Sequence, residues 1–145
     1  MMKLTSPLFL NNNGFPERFT CDGEEINPPL NIQGVPEGTV SLALVLRDPD
    51  AVEGMFIHWI LWNFGPKTTE IKAGYLPDGA MLGKTTDGRI GYVGPCPSSG
   101  SHRYTFTLYA LNTELYINEG VSIGRLEAAM EGHILEQADL MAKYR

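Results

Sequence analysis

A chain of 145 residues, 43% of them hydrophobic, is long enough to bury one core and too apolar to be disordered. Its net charge of −6 comes without a basic stripe, which argues against nucleic acid and against polybasic attachment to an anionic membrane. Sixteen glycines and ten prolines predict short elements joined by tight turns, as in a single all-β domain over 1–145.

Met1-Met2-Lys3-Leu4 is followed at once by polar Thr5-Ser6-Pro7, so no signal peptide is expected; no apolar stretch reaches spanning length, and the expected location is cytoplasmic. Cys21 and Cys96 lack CxxC spacing, and for a cytosolic chain free thiols are favoured over a bridge, which stays an open alternative. Leu4 to Leu10 reads as a first strand, ended by Asn11-Asn12-Asn13-Gly14, and Glu17 to Cys21 as a second. Leu30-Asn31-Ile32 reads as an edge piece, after prolines that keep Asn27-Pro28-Pro29 extended.

Leu42 to Leu46 is an unbroken apolar stretch, the signature of a strand buried on both faces. Arg47-Asp48-Pro49-Asp50 ends it, since proline has no backbone donor. Met55 to Trp62 is rich in aromatic and β-branched residues and reads as the partner strand, with His58 in its middle. Lys67 to Gly91 is polar and glycine-rich, and is expected to form surface loops with one short strand. Gly91 to Ser101 is a second glycine- and proline-rich corner. It leads into an alternating strand whose His102, Tyr104, Phe106 and Leu108 face inward and whose Arg103 faces away. From Ser122, a good N-cap, Ile123, Leu126, Met130, Ile134, Gln137 and Met141 recur at helical spacing, which predicts one amphipathic C-terminal helix, with Lys143 and Arg145 at its cation-favouring end.

Asp48, Asp50, His58, His102 and Tyr104 all fall at strand ends or within strands. Each alone has a structural reading: a satisfied core histidine, an Asp-Pro-Asp turn, a core tyrosine. Together, beside glycines that expose backbone N–H groups, they suit an anion such as phosphate, with the aspartates orienting the histidines and holding them cationic. Two other readings carry less. A divalent metal lacks HxH or HExxH spacing, and a serine hydrolase through Ser98 or Ser99 lacks a GxSxG elbow.

Asp48-Pro49-Asp50-Ala51, His58-Trp59, Gly91-Tyr92-x-Gly94-Pro95-Cys96-Pro97 and Gly100-x-His102-Arg103-Tyr104 occur in that order. With Phe19 to Gly23, Pro28-Pro29-Leu30, Leu108 to Leu111 and Glu131 to Leu135, they resemble the phosphatidylethanolamine-binding protein family, in its bacterial and archaeal Raf-kinase-inhibitor-like branch. The resemblance implies an antiparallel β-sandwich with a small cavity at one end that takes phosphate-like anions, including a phospholipid head group. By position, it implies a ligand site at Asp48, His58, Gly94, His102 and Tyr104, with Asp50 in the same motif and Pro95 and Phe56 on its wall. No catalytic residue, cofactor or metal is implied, and the expected role is regulatory. The alternative is an inhibitor of a serine protease or kinase acting through a surface loop, for which Lys67 to Gly91 is the candidate. The expected partner is thus a small anionic or phosphorylated ligand, with a kinase or protease as alternative protein partner and a homodimer admissible. Val52 and Ser98 stand where the family commonly has proline, and Thr85-Thr86-Asp87-Gly88 where it has an Asn-Asp-aromatic-Gly run. These departures touch the rim and outer wall but remove no histidine or aspartate.

Overall fold

A computed structural model describes residues 1–145. Nine strands form two sheets. Strand β1 (Lys3–Thr5), β3 (Leu30–Gln33) and β6 (Glu70–Ile71) make a small antiparallel sheet in the order β1-β3-β6. Strands β2 (Asn13–Gly14), β4 (Ser41–Asp48), β5 (Phe56–Phe64), β7 (Met81–Leu82), β8 (His102–Leu111) and β9 (Ile134–Tyr144) make a larger one in the order β2-β9-β8-β4-β5-β7. All its pairings are antiparallel except the two-residue contact of β2 with β9. The expected all-β sandwich is therefore the architecture.

The apolar stretch in β4 explains the layering. Leu42, Leu44 and Leu46 point into the core between the sheets, with Trp59, Leu61, Phe106 and Leu108 around them and Leu4, Ile32 and Ile71 across from the small sheet. Ala43 and Val45 point the other way, to a second core with Ile57, Ile60, Trp62 and Tyr109, closed by Leu126 and Met130 of α1 (Ile123–Met130). A strand covered by a sheet on one side and a helix on the other has no polar face, as its sequence says.

The tertiary structure corrects several local readings. The helix starts where expected, with the Ser122 hydroxyl accepting from the Arg125 N–H, but ends at Met130. Gly132 turns the chain at φ +81°, and Ile134 to Tyr144 runs as β9 along ten residues of β8. Ala138, Leu140 and Ala142 pack on the inter-sheet core at a period of two, a pattern the helical stripe through Gln137 and Met141 had masked. Pairing the open edge of β8 outweighs helical propensity here. Arg145 thus ends a strand rather than a helix, and pairs with Asp22. Glu17–Phe19 is a 3₁₀ turn, η1, rather than a strand, and it drives Phe19 fully into the core. The first strand stops at Thr5, before Pro7, and β3 is the middle of its sheet rather than an edge. Lys67 to Gly91 contributes two short strands, β6 and β7, instead of one. Cys21 and Cys96, for which free thiols were favoured, are bonded, with Cα atoms 5.4 Å apart.

Candidate functional site

His58 is the extra residue of a β-bulge. Leu46 pairs with Trp59 and Arg47 with Ile57, so β5 spends two steps where β4 spends one. A bulge re-aims a side chain at a sheet end. Here it turns His58 out of the alternation that buries its neighbours. Its ring Nδ1 donates to Val93 O at 2.7 Å, while the Val93 N–H donates to His58 O at 2.8 Å. That reciprocal pair brings the Gly91–Ser101 corner onto β5.

On the adjoining side, Asp48 ends β4 and His102 begins β8. The His102 Nδ1 donates to Asp48 Oδ2 at 2.7 Å, and the other Asp48 oxygen accepts the Asp50 N–H at 2.8 Å. Tyr104 lies between the two imidazoles, edge-on to His58 at 5.3 Å between ring centroids and stacked toward His102 at 6.2 Å. Phe56 packs on His58 at 4.6 Å.

These side chains line a cavity of about 610 Å³ at one end of the large sheet. Asp48, Phe56, His58, Gly94, His102 and Tyr104 all reach it. Asp50 and Pro95 do not. Asp50 accepts three hydrogen bonds from Arg103, two from the guanidinium and one from its backbone, at 2.8–2.9 Å. That pairing holds the Asp50 carboxyl well below the usual carboxylate range and makes Arg103 the brace of the first corner. Pro95 is buried behind the wall, and its carbonyl accepts the Cys21 N–H at 3.1 Å. Gly94 lies on the wall, but its N–H, assigned to the anion on sequence grounds, donates to Glu25 Oε2 at 3.1 Å. Cys96 also reaches the cavity, and its bond to Cys21 staples the second corner to the segment after η1.

The resemblance put Thr85 to Gly88 at the outer wall, but Arg89 was not anticipated. Thr86, Asp87 and Arg89 border the cavity, held by a Thr86 Oγ1 that accepts the Ile57 N–H at 2.7 Å. Asp87-Gly88 was legible as a turn, but nothing local placed it against β5. Arg89 donates to Asp87 through Nε at 2.8 Å, which holds the Asp87 carboxyl at about 2. The cavity therefore carries three carboxylates (Asp48, Glu53 and Asp87) against one guanidinium, itself committed to Asp87.

Burial lowers the pKa of His58, against the pull of the Val93 carbonyl and nearby carboxylates. The expectation that the aspartates hold this ring cationic is thus overturned by desolvation. Burial also pushes the Tyr104 hydroxyl up, leaving it a neutral donor. No three His, Cys, Asp or Glu side chains converge as a metal site would need. His58 Nε2, His102 Nε2 and the Tyr104 hydroxyl have no hydrogen-bond partner in the protein. None of them is sealed from solvent, because the only fully buried side-chain polar atoms without partners are the indole nitrogens of Trp59 and Trp62.

The sequence matches the family described as phosphatidylethanolamine-binding protein over residues 5–145. A UPF0098 protein of Methanothermobacter thermautotrophicus is 46% identical over 99% of both chains. Another, from Pyrococcus horikoshii, is 43% identical over 96% of this chain and 74% of its own. The crystal structure of a phosphatidylethanolamine-binding protein homologue from Chlamydia trachomatis superposes with a TM-score of 0.96 at 40% identity, covering 99% of this chain and 97% of its own. That of E. coli YbcL, described as a member of the mammalian PEBP family, superposes at 0.91 with 26% identity, covering 99% and 98%.

Proposed function

We propose that this chain, which belongs to the phosphatidylethanolamine-binding protein family, binds a small phosphate-like anion or phosphorylated ligand in the cavity between His58 and His102, and does so in a regulatory rather than catalytic role. The observation that carries the reading is the convergence of three unpartnered polar atoms, two imidazole Nε2 and one tyrosine hydroxyl, on one cavity. These atoms are open to the cavity and uncommitted to the protein, and convergent polar groups lining one concave site are what a small-ligand pocket presents. The residues come from β5 and β8, both anchored in sheet, so the cluster is preorganised. The carboxylates Glu53 and Asp87 at the mouth suit a ligand whose phosphoryl end is followed by a cationic group, as in phosphoethanolamine.

Calorimetric titration with phosphate and phosphoethanolamine on wild type, His58→Ala and His102→Ala tests the reading. Each alanine removes a hydrogen bond to a charged ligand, about 1.5–3 kcal/mol or roughly ten- to a hundredfold in affinity. A folded wild type that binds neither ligand, or variants that bind equally well, would sink it.

The inhibitor alternative drew on Lys67 to Gly91. That region divides: Thr86, Asp87 and Arg89 border the cavity, while Tyr75 and Leu76 are exposed beside a separate groove at the other end of β5. The two readings separate cleanly, since loss of His58 weakens pocket binding and leaves a Tyr75-side inhibitor intact.

A further inference from the structure

Both imidazoles spend their Nδ1–H on the protein. His58 gives its proton to a backbone carbonyl and His102 to a carboxylate, each at 2.7 Å. Neither acceptor has a proton to offer in return, so these tautomers are forced. In the neutral ring the remaining nitrogen, Nε2, is then a lone pair. At His58, whose charged form burial disfavours, Nε2 is therefore an acceptor, which is the wrong polarity for a bare anion.

We propose that the cavity selects an oxyanion carrying a proton of its own, a hydrogen phosphate or a singly protonated phosphomonoester, over a sulfate of similar size. The P–OH would donate to the His58 Nε2 while an unprotonated phosphoryl oxygen accepts from the Tyr104 hydroxyl. Phosphomonoesters lose their second proton near pH ~6, so a protonated form is within easy reach at neutral pH. Sulfate has no O–H there. At His58 it sets oxygen lone pairs against a nitrogen lone pair, and binds well there only after that ring takes a proton from solvent.

At His58 the surroundings oppose that alternative. Burial disfavours the His58 imidazolium, and the carboxylates that pull the other way, Asp48, Asp87 and Glu25, do not overcome it. His102 faces Asp48 from β4, with Asp50 beyond it neutralised by Arg103. Tyr104 stays neutral through burial, and Arg89, the one guanidinium on the cavity, is held by Asp87. No uncommitted lysine or arginine is thus present to receive a bare anion, and at His58 a P–OH fills the acceptor that sulfate would face with a lone pair. The inference rests on the phosphate-binding reading above and names which anions that site admits.

Titration of the full chain at pH 7.5 with inorganic phosphate and with sulfate tests it. Phosphate is expected to bind about tenfold or more tightly than sulfate, the cost of losing a charge-assisted bond. His58→Gln and, with a shorter arm, His58→Asn each put an amide, with its own N–H donors, where the ring offers a lone pair. In whichever variant folds, the phosphate-to-sulfate ratio should shrink or invert. Sulfate binding as tightly as phosphate to wild type, or a ratio unchanged in a folded amide variant, overturns the inference while leaving the anion site standing. Binding of neither ion overturns the anion site and the inference with it.

Discussion

His58 and Val93 hold each other by two hydrogen bonds, ring to carbonyl at 2.7 Å and backbone to backbone at 2.8 Å, across thirty-five residues of chain. The bulge that frees His58 from strand pairing and the corner that carries Val93 are thus one unit. Anything that loosens the corner should be felt at the imidazole.

The disulfide is the first such element. Cys21 and Cys96 are 75 residues apart, and a bridge closing a loop of that size restricts the unfolded chain by about 4 kcal/mol in the chain-entropy account. Reduction should lower the urea midpoint accordingly and weaken phosphate binding together with it. Alkylation under denaturing conditions should label no thiol without reductant and two with it. A bridge of this kind suits an oxidising compartment or a hyperthermophilic host better than an ordinary cytosol, so the same measurement on protein taken directly from its native cells bears on location.

Gly94 is the second. A Cβ there would meet Glu25 Cγ and Phe19 O at 2.9 Å and Thr20 Cα at 3.0 Å, two of which are backbone. Gly94→Ala should push the corner away from η1 and cost about 1–3 kcal/mol, as overpacking does. Its effect on binding should exceed that of Gly88→Ala, whose added Cβ would meet nothing within 4 Å although its own positive φ also carries strain. Equal binding by the two variants would count against the coupling.

The lowered pKa of His58 sets a sign for pH dependence. The folded state holds this ring neutral more strongly than the unfolded chain does, whose histidine titrates near ~6.5. The unfolded state therefore binds more protons below that pH, and the contribution to stability is present above ~6.5 and lost as pH falls through the folded value. Wild type should lose more stability than His58→Gln between pH 7.5 and 5. Parallel denaturation curves at both pH values would contradict the assignment.

The C-terminal segment offers a direct test of period. Leu140 is 2% exposed and off the helical stripe, whereas Gln137 is on that stripe and exposed. Leu140→Ala should cost about 2–4 kcal/mol and Gln137→Ala close to nothing. A helix continuing past Met130 would reverse that order. Within α1, Met130→Asp should be strongly destabilising, because it places a charge against Val45 and Trp62 in the second core. A wild-type melting temperature for that variant would contradict the packing.

Local chemistry determined much of this molecule. Leu42 to Leu46 declared a strand covered on both faces, because five consecutive apolar side chains leave no side for water. Alternation from His102 to Leu108 put His102 and Tyr104 on one face, and Pro49 ended β4 where Asp48 is needed. The outcome at His58, by contrast, was beyond local reading. Its bulge exists only in the register between β4 and β5, and its lowered pKa comes from burial by segments far away in the chain. The same holds for Gly94, whose N–H looked free until Glu25 took it, and for Asp50, which turned from the cavity to Arg103. The last eleven strand residues show the limit most plainly. Ile134 to Tyr144 is compatible with both a helical stripe and a two-residue alternation, and the open edge of β8, present only once the sheet has formed, decides between them.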